Sequence, residues 1–163
     1  MVSPDDIYLS AGGGAALALL EKAGKTAVLI GQISHRGVIV TSGFRLPVNH
    51  ILHAATVALK PDGSSETTDE DVRITMLTVL QTAHGLGVQI LFVPLLGAGT
   101  EALPADKSLC AILKAFLEAT ELMTDFSLRL VVVVRHESEL PRNEARAVIQ
   151  ANLPAFTLGQ PAT

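Results

Sequence analysis

Residues 7–24 read IYLSAGGGAALALLEKAG. A short apolar run stops at three consecutive glycines, and an Ala/Leu-rich stretch follows at once. Asp6 to Ser10 reads as a short strand and Ala15 to Ala23 as a helix, with Gly24 placed to end it in a left-handed turn. Glycines between a strand and a helix serve either close packing or a ligand that must touch the backbone. Working outward from this turn decides between the two.

The chain has 163 residues, 48% hydrophobic and 17% charged. That length fits one domain over residues 1–163, with a core of its own. Few aromatics and many Val, Leu and Ala point to α/β layering. Net charge is −4 and no basic stripe is present, which argues against a nucleic-acid surface. The single cysteine, Cys110, excludes an internal disulfide; it falls in an apolar helical pattern and is expected to be buried packing. No metal cluster and no cofactor is expected. The opening MVSPDDIY lacks the features of a secretory signal, and no run approaches the ~20 apolar residues of a membrane span. The default is a cytoplasmic protein with no membrane partner.

Further along, Lys25 to Ser34 fits a strand or a helix. Gly37 to Thr41 and Val48 to Leu59 read as two strands joined by SGFRLP. Thr68 followed by Asp71 has the spacing of a capping box, and Ile74, Leu77, Leu80 and Ala83 recur at helical spacing until Gly85 and Gly87. VQILFVP reads as a strand of the unbroken, doubly buried kind, and LRLVVVV as another. Between them a helix is expected from Pro104 to about Glu121, with Leu109, Ile112, Leu113, Phe116 and Leu117 on one face. Pro141 opens a last helix that includes Ala145, Val148 and Ile149. This alternation predicts a three-layer α/β/α sandwich with a mixed, mostly parallel sheet. Ligands of such sheets bind beyond the carboxyl ends of the strands.

Two glycine-bearing loops leave strand ends: Ala11 to Gly14, and Leu95 to Leu103. Neither is a Walker A loop or a dinucleotide fingerprint. A diphosphate explains both, since backbone N–H groups and a helix N-terminus favour negative charge.

At these residues the chain resembles the macrodomains, which recognise ADP-ribose. AGGGAALALLEKAG is similar to the family's triple-glycine loop and first helix. GVIVTSGFRLPVNHILHA, Gly37 to Ala54, is similar to its Thr-x-Gly-(Tyr/Phe)-x-Leu-Pro turn and the following strand. FVPLLGAGTEALP, Phe92 to Pro104, is similar to its second phosphate loop. The resemblance implies that Gly12, Gly13 and Gly14 approach the diphosphate from one side. Gly97, Ala98, Gly99 and Thr100 then wrap the other, and Glu101 stands where the family usually has an aromatic near the terminal ribose.

The departures carry expectations too. The chain begins at what would be the family's second strand, so the Asp that holds the adenine amine has no counterpart; Asp5 and Asp6 do not substitute for it. The asparagine-bearing segment of hydrolytic members should lie between Leu9 and Gly12, where only LSAG stands, a compressed loop. No general acid or base is read near it. Glu101 brings a carboxylate toward the phosphates, and Ala102 replaces a glycine. The histidines have bland readings: His50 and His53 are three apart on a strand and face opposite sides, and His35, His84 and His136 lack a spaced partner. Ser10 has no base and no nucleophile elbow. The reading is therefore weak binding of ADP-ribose or a derivative. The alternatives are an ADP-ribosyl hydrolase, and a non-binding domain whose exposed sheet edge is covered by a second copy.

Overall fold

The computed structural model describes residues 1–24, 31–59, 65–99 and 103–153. Its elements are β1 (Val2–Asp6), α1 (Gly14–Ala23), β2 (Val38–Ser42), β3 (His50–Leu59), β4 (Ser65–Glu66), α2 (Asp69–Gly85), β5 (Ile90–Pro94), α3 (Ala105–Leu122), β6 (Arg129–Val133) and α4 (Arg142–Asn152). Strand β3 is central to one hydrogen-bonded group. It pairs with β1 in parallel and with β2 and β4 antiparallel. Strands β5 and β6 form a second, parallel pair, Pro94 opposite Val133, and β1 lies beside β5. The strand layer is mixed, as expected from the sequence.

Two faces of β3 are filled differently. Leu52 and Ala54 turn to a core with Val2, Leu91 and Val93, closed by Met76, Val79, Leu80 and Ala83 of α2 and by Ile112, Ala115 and Ala119 of α3. Burying each large aliphatic side chain is worth about 1.5–3 kcal/mol. On the opposite face Ile51 packs with Leu20 and Ala23 of α1 and with Leu46 and Val48. Helix α4 docks outside α3 through Leu109, Leu113 and Leu140.

Three expectations need correction. The first strand is not Asp6–Ser10 but Val2–Asp6. Pairing with β3 over all five residues overrides the poor strand propensity of Pro4, Asp5 and Asp6. Strands β5 and β6 are not buried on both faces: Leu91 and Val93 are enclosed, but Ile90, Phe92 and Val133 are exposed. Cys110 is only half-buried, its Sγ 3.5 Å from Asn152 Oδ1 of α4. The ambiguous stretch 25–30 lies outside the described residues.

Helix α2 begins with a full capping box. The Thr68 hydroxyl accepts from the Asp71 N–H at 3.1 Å, and Asp71 Oδ2 accepts from the Thr68 N–H at 2.9 Å. Arg36 adds Nε and Nη2 bonds to Asp71 Oδ1 at 2.9 and 2.6 Å. Burial works against the ionised carboxyl, but the bonds from Thr68 and the Arg36 guanidinium outweigh it and hold the Asp71 pKa below the ordinary value of 3.8. Asp71→Ala removes half the cap and leaves Arg36 unpaired, an expected loss of about 2–4 kcal/mol at neutral pH. A depressed folded-state pKa stabilises above the unfolded value and is lost as pH falls through the folded one. The gap between wild type and Asp71→Ala in urea unfolding should therefore shrink below about pH 4. A gap that stays constant into strong acid would show that the carboxylate charge contributes nothing.

Candidate functional site

The carboxyl end of β1 carries two aspartates that build the loop after it. Asp5 Oδ1 accepts from the N–H groups of Asp6 and Ala11, both at 3.0 Å. Asp6 Oδ1 accepts from Tyr8 N–H at 2.7 Å, and its Oδ2 takes the Ser10 hydroxyl. These bonds hold Leu9 and Ala11 at φ values of 57° and 48°. Such backbone costs of order 1 kcal/mol per residue and persists only where neighbours fix it. The loop thus spans Ile7 to Gly13. The strand end before it is Pro4-Asp5-Asp6.

Gly13 is the N-cap of α1, with an extended backbone and no side-chain cap, and the first turn contains no acidic residue. The free N–H groups and the helix dipole are left for another partner. A Cβ on Gly13 or Gly99 would meet nothing within 4 Å; Gly14 is likewise open but holds φ +57°. Gly97 differs. At φ +71° its Cα faces the side chains of Thr67, 2.6 Å from an added Cβ, and Val72, so packing on the start of α2 already requires glycine there.

The two loops line one cleft of about 640 Å³, within the usual range for small-molecule sites. Gly12, Gly13, Gly14, Gly97 and Gly99 all border it, while Ala98 packs instead against the Leu95–Leu109 cluster. Thr100, Glu101 and Ala102 lie outside the described residues. Sequence reasoning missed the rest of the lining, which includes Asp5, Asp6 and Thr56, Leu19 and Lys22 of α1, Phe92 of β5, and Arg135 and Glu139 after β6. The i, i+3, i+7 spacing of Ala15, Ala18 and Lys22 was the available signal for a helix face.

Three carboxylates therefore border the cleft: Asp5, Asp6 and Glu139. Each is engaged by backbone: Glu139 Oε2 accepts from the Arg135 N–H at 3.2 Å. Burial raises the Asp5 pKa, against the pull of its bonds from Ala11 and Asp6. The Lys22 and Arg135 side chains take no ion pair among the described residues. Asp5 also walls a smaller cavity of about 100 Å³ under the loop, with Ser3, Ser10 and His53. Burial lowers the His53 pKa, and its Nε2 lies 2.9 Å from Thr41 Oγ1, a structural pairing across β2 and β3. Among the described residues no group of three or more His, Cys, Asp or Glu side chains is placed to hold a metal ion, and no helix is long and apolar enough to cross a membrane.

Fold and site together define an α/β sandwich with a glycine-lined cleft at the carboxyl ends of its parallel strands. The profile of the Macro domain matches residues 2–112, and the chain belongs to that family. Solved macrodomains share the fold. A point mutant of the Oceanobacillus iheyensis macrodomain superposes with a TM-score of 0.77 at 20% identity, over 95% of this chain and 85% of that one. The same organism's macrodomain with ADP gives 0.74 at 19%, over 95% and 84%. The Trypanosoma brucei macrodomain in complex with ADP-ribose gives 0.74 at 16%, over 90% of this chain and 62% of that one. No curated protein matches the sequence.

Proposed function

We propose that this chain binds ADP-ribose or a close derivative, with the diphosphate held between the Gly12–Gly14 loop and the loop of Gly97, Ala98, Gly99 and Thr100. The observation that carries the reading is the shared cleft: two glycine loops and the uncapped N-terminus of α1 border one space. Arg135 also borders it, two residues past the Pro94–Val133 pairing that leads into the second loop. Macrodomains of the same fold have been crystallised with ADP and with ADP-ribose, which supports the choice of ligand.

The proposal is binding, not turnover, and weak binding. Asp5, Asp6 and Glu139 accept from backbone N–H groups, which fits a role in shaping the turns around the cleft. No residue of this sequence matches the Asp that holds the adenine amine in the family's motif. Lacking one charge-assisted contact to the adenine costs about 2–3 kcal/mol, about 30- to 150-fold in affinity. Glu101 adds a carboxylate close to the phosphates in sequence. Calorimetric titration with ADP-ribose is expected to give a Kd on the order of 10–100 μM. No heat of binding with millimolar ADP-ribose would overturn the reading. Release of ADP-ribose from a mono-ADP-ribosylated protein would make the chain an enzyme.

A further inference from the structure

The second glycine loop is fixed by a residue that does not border the cleft. Ser108, in the first turns of α3, is fully buried and donates its hydroxyl to the Leu96 carbonyl at 2.7 Å. A helical serine often bonds the carbonyl four residues back in its own helix. Here the hydroxyl instead reaches a carbonyl outside α3, twelve residues back. The Leu96–Gly97 peptide is trans, so its N–H and C=O point in opposite directions. With the Leu96 carbonyl drawn inward to Ser108, the Gly97 N–H is turned away from α3. Leu96 is itself buried, whereas Gly97 borders the cleft. Two further contacts hold Gly97. Its carbonyl accepts from the Leu103 N–H at 3.2 Å, and at φ +71° its Cα lies against the Thr67 side chain.

We propose that Ser108 is a positioning residue for anion binding: by holding the Leu96–Gly97 peptide plane, it aims the Gly97 N–H at the diphosphate. The inference rests on the diphosphate reading above. Ser108 itself touches no ligand. A backbone N–H bonds an anion well only when it is aligned, because hydrogen bonds weaken steeply as the donor angle bends. A peptide next to glycine turns at little steric cost, and each turn takes the N–H off the ligand. Fixing the plane beforehand avoids that ordering cost on binding. Ser108→Ala keeps the packing and the helix, since alanine is the better helix former. It removes only the hydroxyl, and leaves the Leu96 carbonyl to turn toward another donor.

The test compares wild type, Ser108→Ala and Ser108→Cys, with Val79→Ala as a control for stability. Val79 is buried in α2 and does not line the cleft. Ser108→Ala and Val79→Ala are both expected to lower Tm. Only Ser108→Ala should weaken ADP-ribose in calorimetry, by about tenfold, the loss of one aligned bond to a charged group. Ser108→Cys, close in shape but a weaker donor, should fall between. The Gly97 amide gives a reading independent of affinity. In proton–nitrogen correlation spectra of the wild type, inorganic pyrophosphate should shift the Gly97 amide together with amides at the start of α1. In Ser108→Ala the Gly97 amide should start from a different position and respond less, with the α1 response retained. Wild-type ADP-ribose affinity in Ser108→Ala would overturn the positioning role and leave the diphosphate reading intact. So would a wild-type Gly97 amide that pyrophosphate leaves unmoved while the α1 amides shift. An equal loss of affinity in Val79→Ala would reduce Ser108 to a stabilising role. If Ser108→Ala does not fold, Ser108→Cys and the wild-type Gly97 amide carry the same test. Binding of neither ADP-ribose nor pyrophosphate by the wild type would overturn both readings.

Discussion

Gly13→Asp is expected to abolish ADP-ribose binding while leaving the fold as stable as the wild type or slightly more so. Gly13 has φ 176°, extended backbone open to any residue, and an added Cβ meets nothing within 4 Å. The substitution therefore brings no strain. Asp is also a better N-cap than Gly, so α1 gains the cap it lacks. The new carboxylate, however, occupies the free N–H groups and points into the cleft that Gly13 borders. Two like charges about 4 Å apart repel by about 4 kcal/mol at an effective dielectric near 20. With the lost donors, a fall in affinity of at least about 100-fold is expected. Gly13→Asn separates the causes, since it has the same size and capping capacity without the charge. It should bind more weakly than wild type and more tightly than Gly13→Asp. Thermal unfolding checks the fold and calorimetry the ligand. A Gly13→Asp protein that binds ADP-ribose like the wild type would place the diphosphate away from this loop.

Much of the fold was legible because local chemistry and tertiary role agree. Thr68 and Asp71 signal a cap, and the capping box is made; Pro104 and Pro141 stand at the N-caps of α3 and α4 as expected. Strand β1 was misplaced because its residues disagree with their setting. Val-Ser-Pro-Asp-Asp reads as a polar lead-in, and only the backbone of β3 on one side, with β5 on the other, makes it a strand. That one displacement hid the length of the first loop and the two aspartates that shape it. Phe92 was assigned to the core because an unbroken apolar run does not say which face has a helix over it. Lys22 and Arg135 are far apart in sequence, and no pattern joins them until the sheet brings both to one cleft. The glycines were found, yet Gly97 shows that a glycine in the expected place can answer to packing on Thr67.

The middle stretch, Thr41 to Val48, is where sequence likeness and physical necessity coincide, and it yields the largest expected loss of stability. An added Cβ on Gly43 would lie 1.9 Å from the carbonyl oxygen of Val48 and 3.1 Å from that of Leu46. Both are backbone atoms, so no side-chain rotation can clear them. The turn is held from within by Leu46 N–H to Gly43 O at 2.9 Å and Val48 N–H to Leu46 O at 2.8 Å. Phe44 already sits at φ 51°, so its neighbour has little freedom to yield. From outside, the Arg45 N–H bonds the carbonyl of Ala23 at 3.3 Å, and Leu46 and Val48 pack on Leu20, Ala23 and Ile51. Opening the turn therefore also loosens the end of α1 and the α1 face of β3. Gly43→Ala is expected to cost at least about 3 kcal/mol. For a domain of this size that lowers Tm by roughly 6–12 °C. Gly43 is not among the residues that line the cleft, so below the transition ADP-ribose affinity should stay close to the wild type. Leu46→Ala, which empties the same contact without a clash, should cost less, about 1–2 kcal/mol for a side chain only partly buried. A Gly43→Ala protein within about 1 kcal/mol of wild type in urea unfolding would mean that the turn shifts freely. The glycine of this motif would then have some requirement other than the Val48 carbonyl.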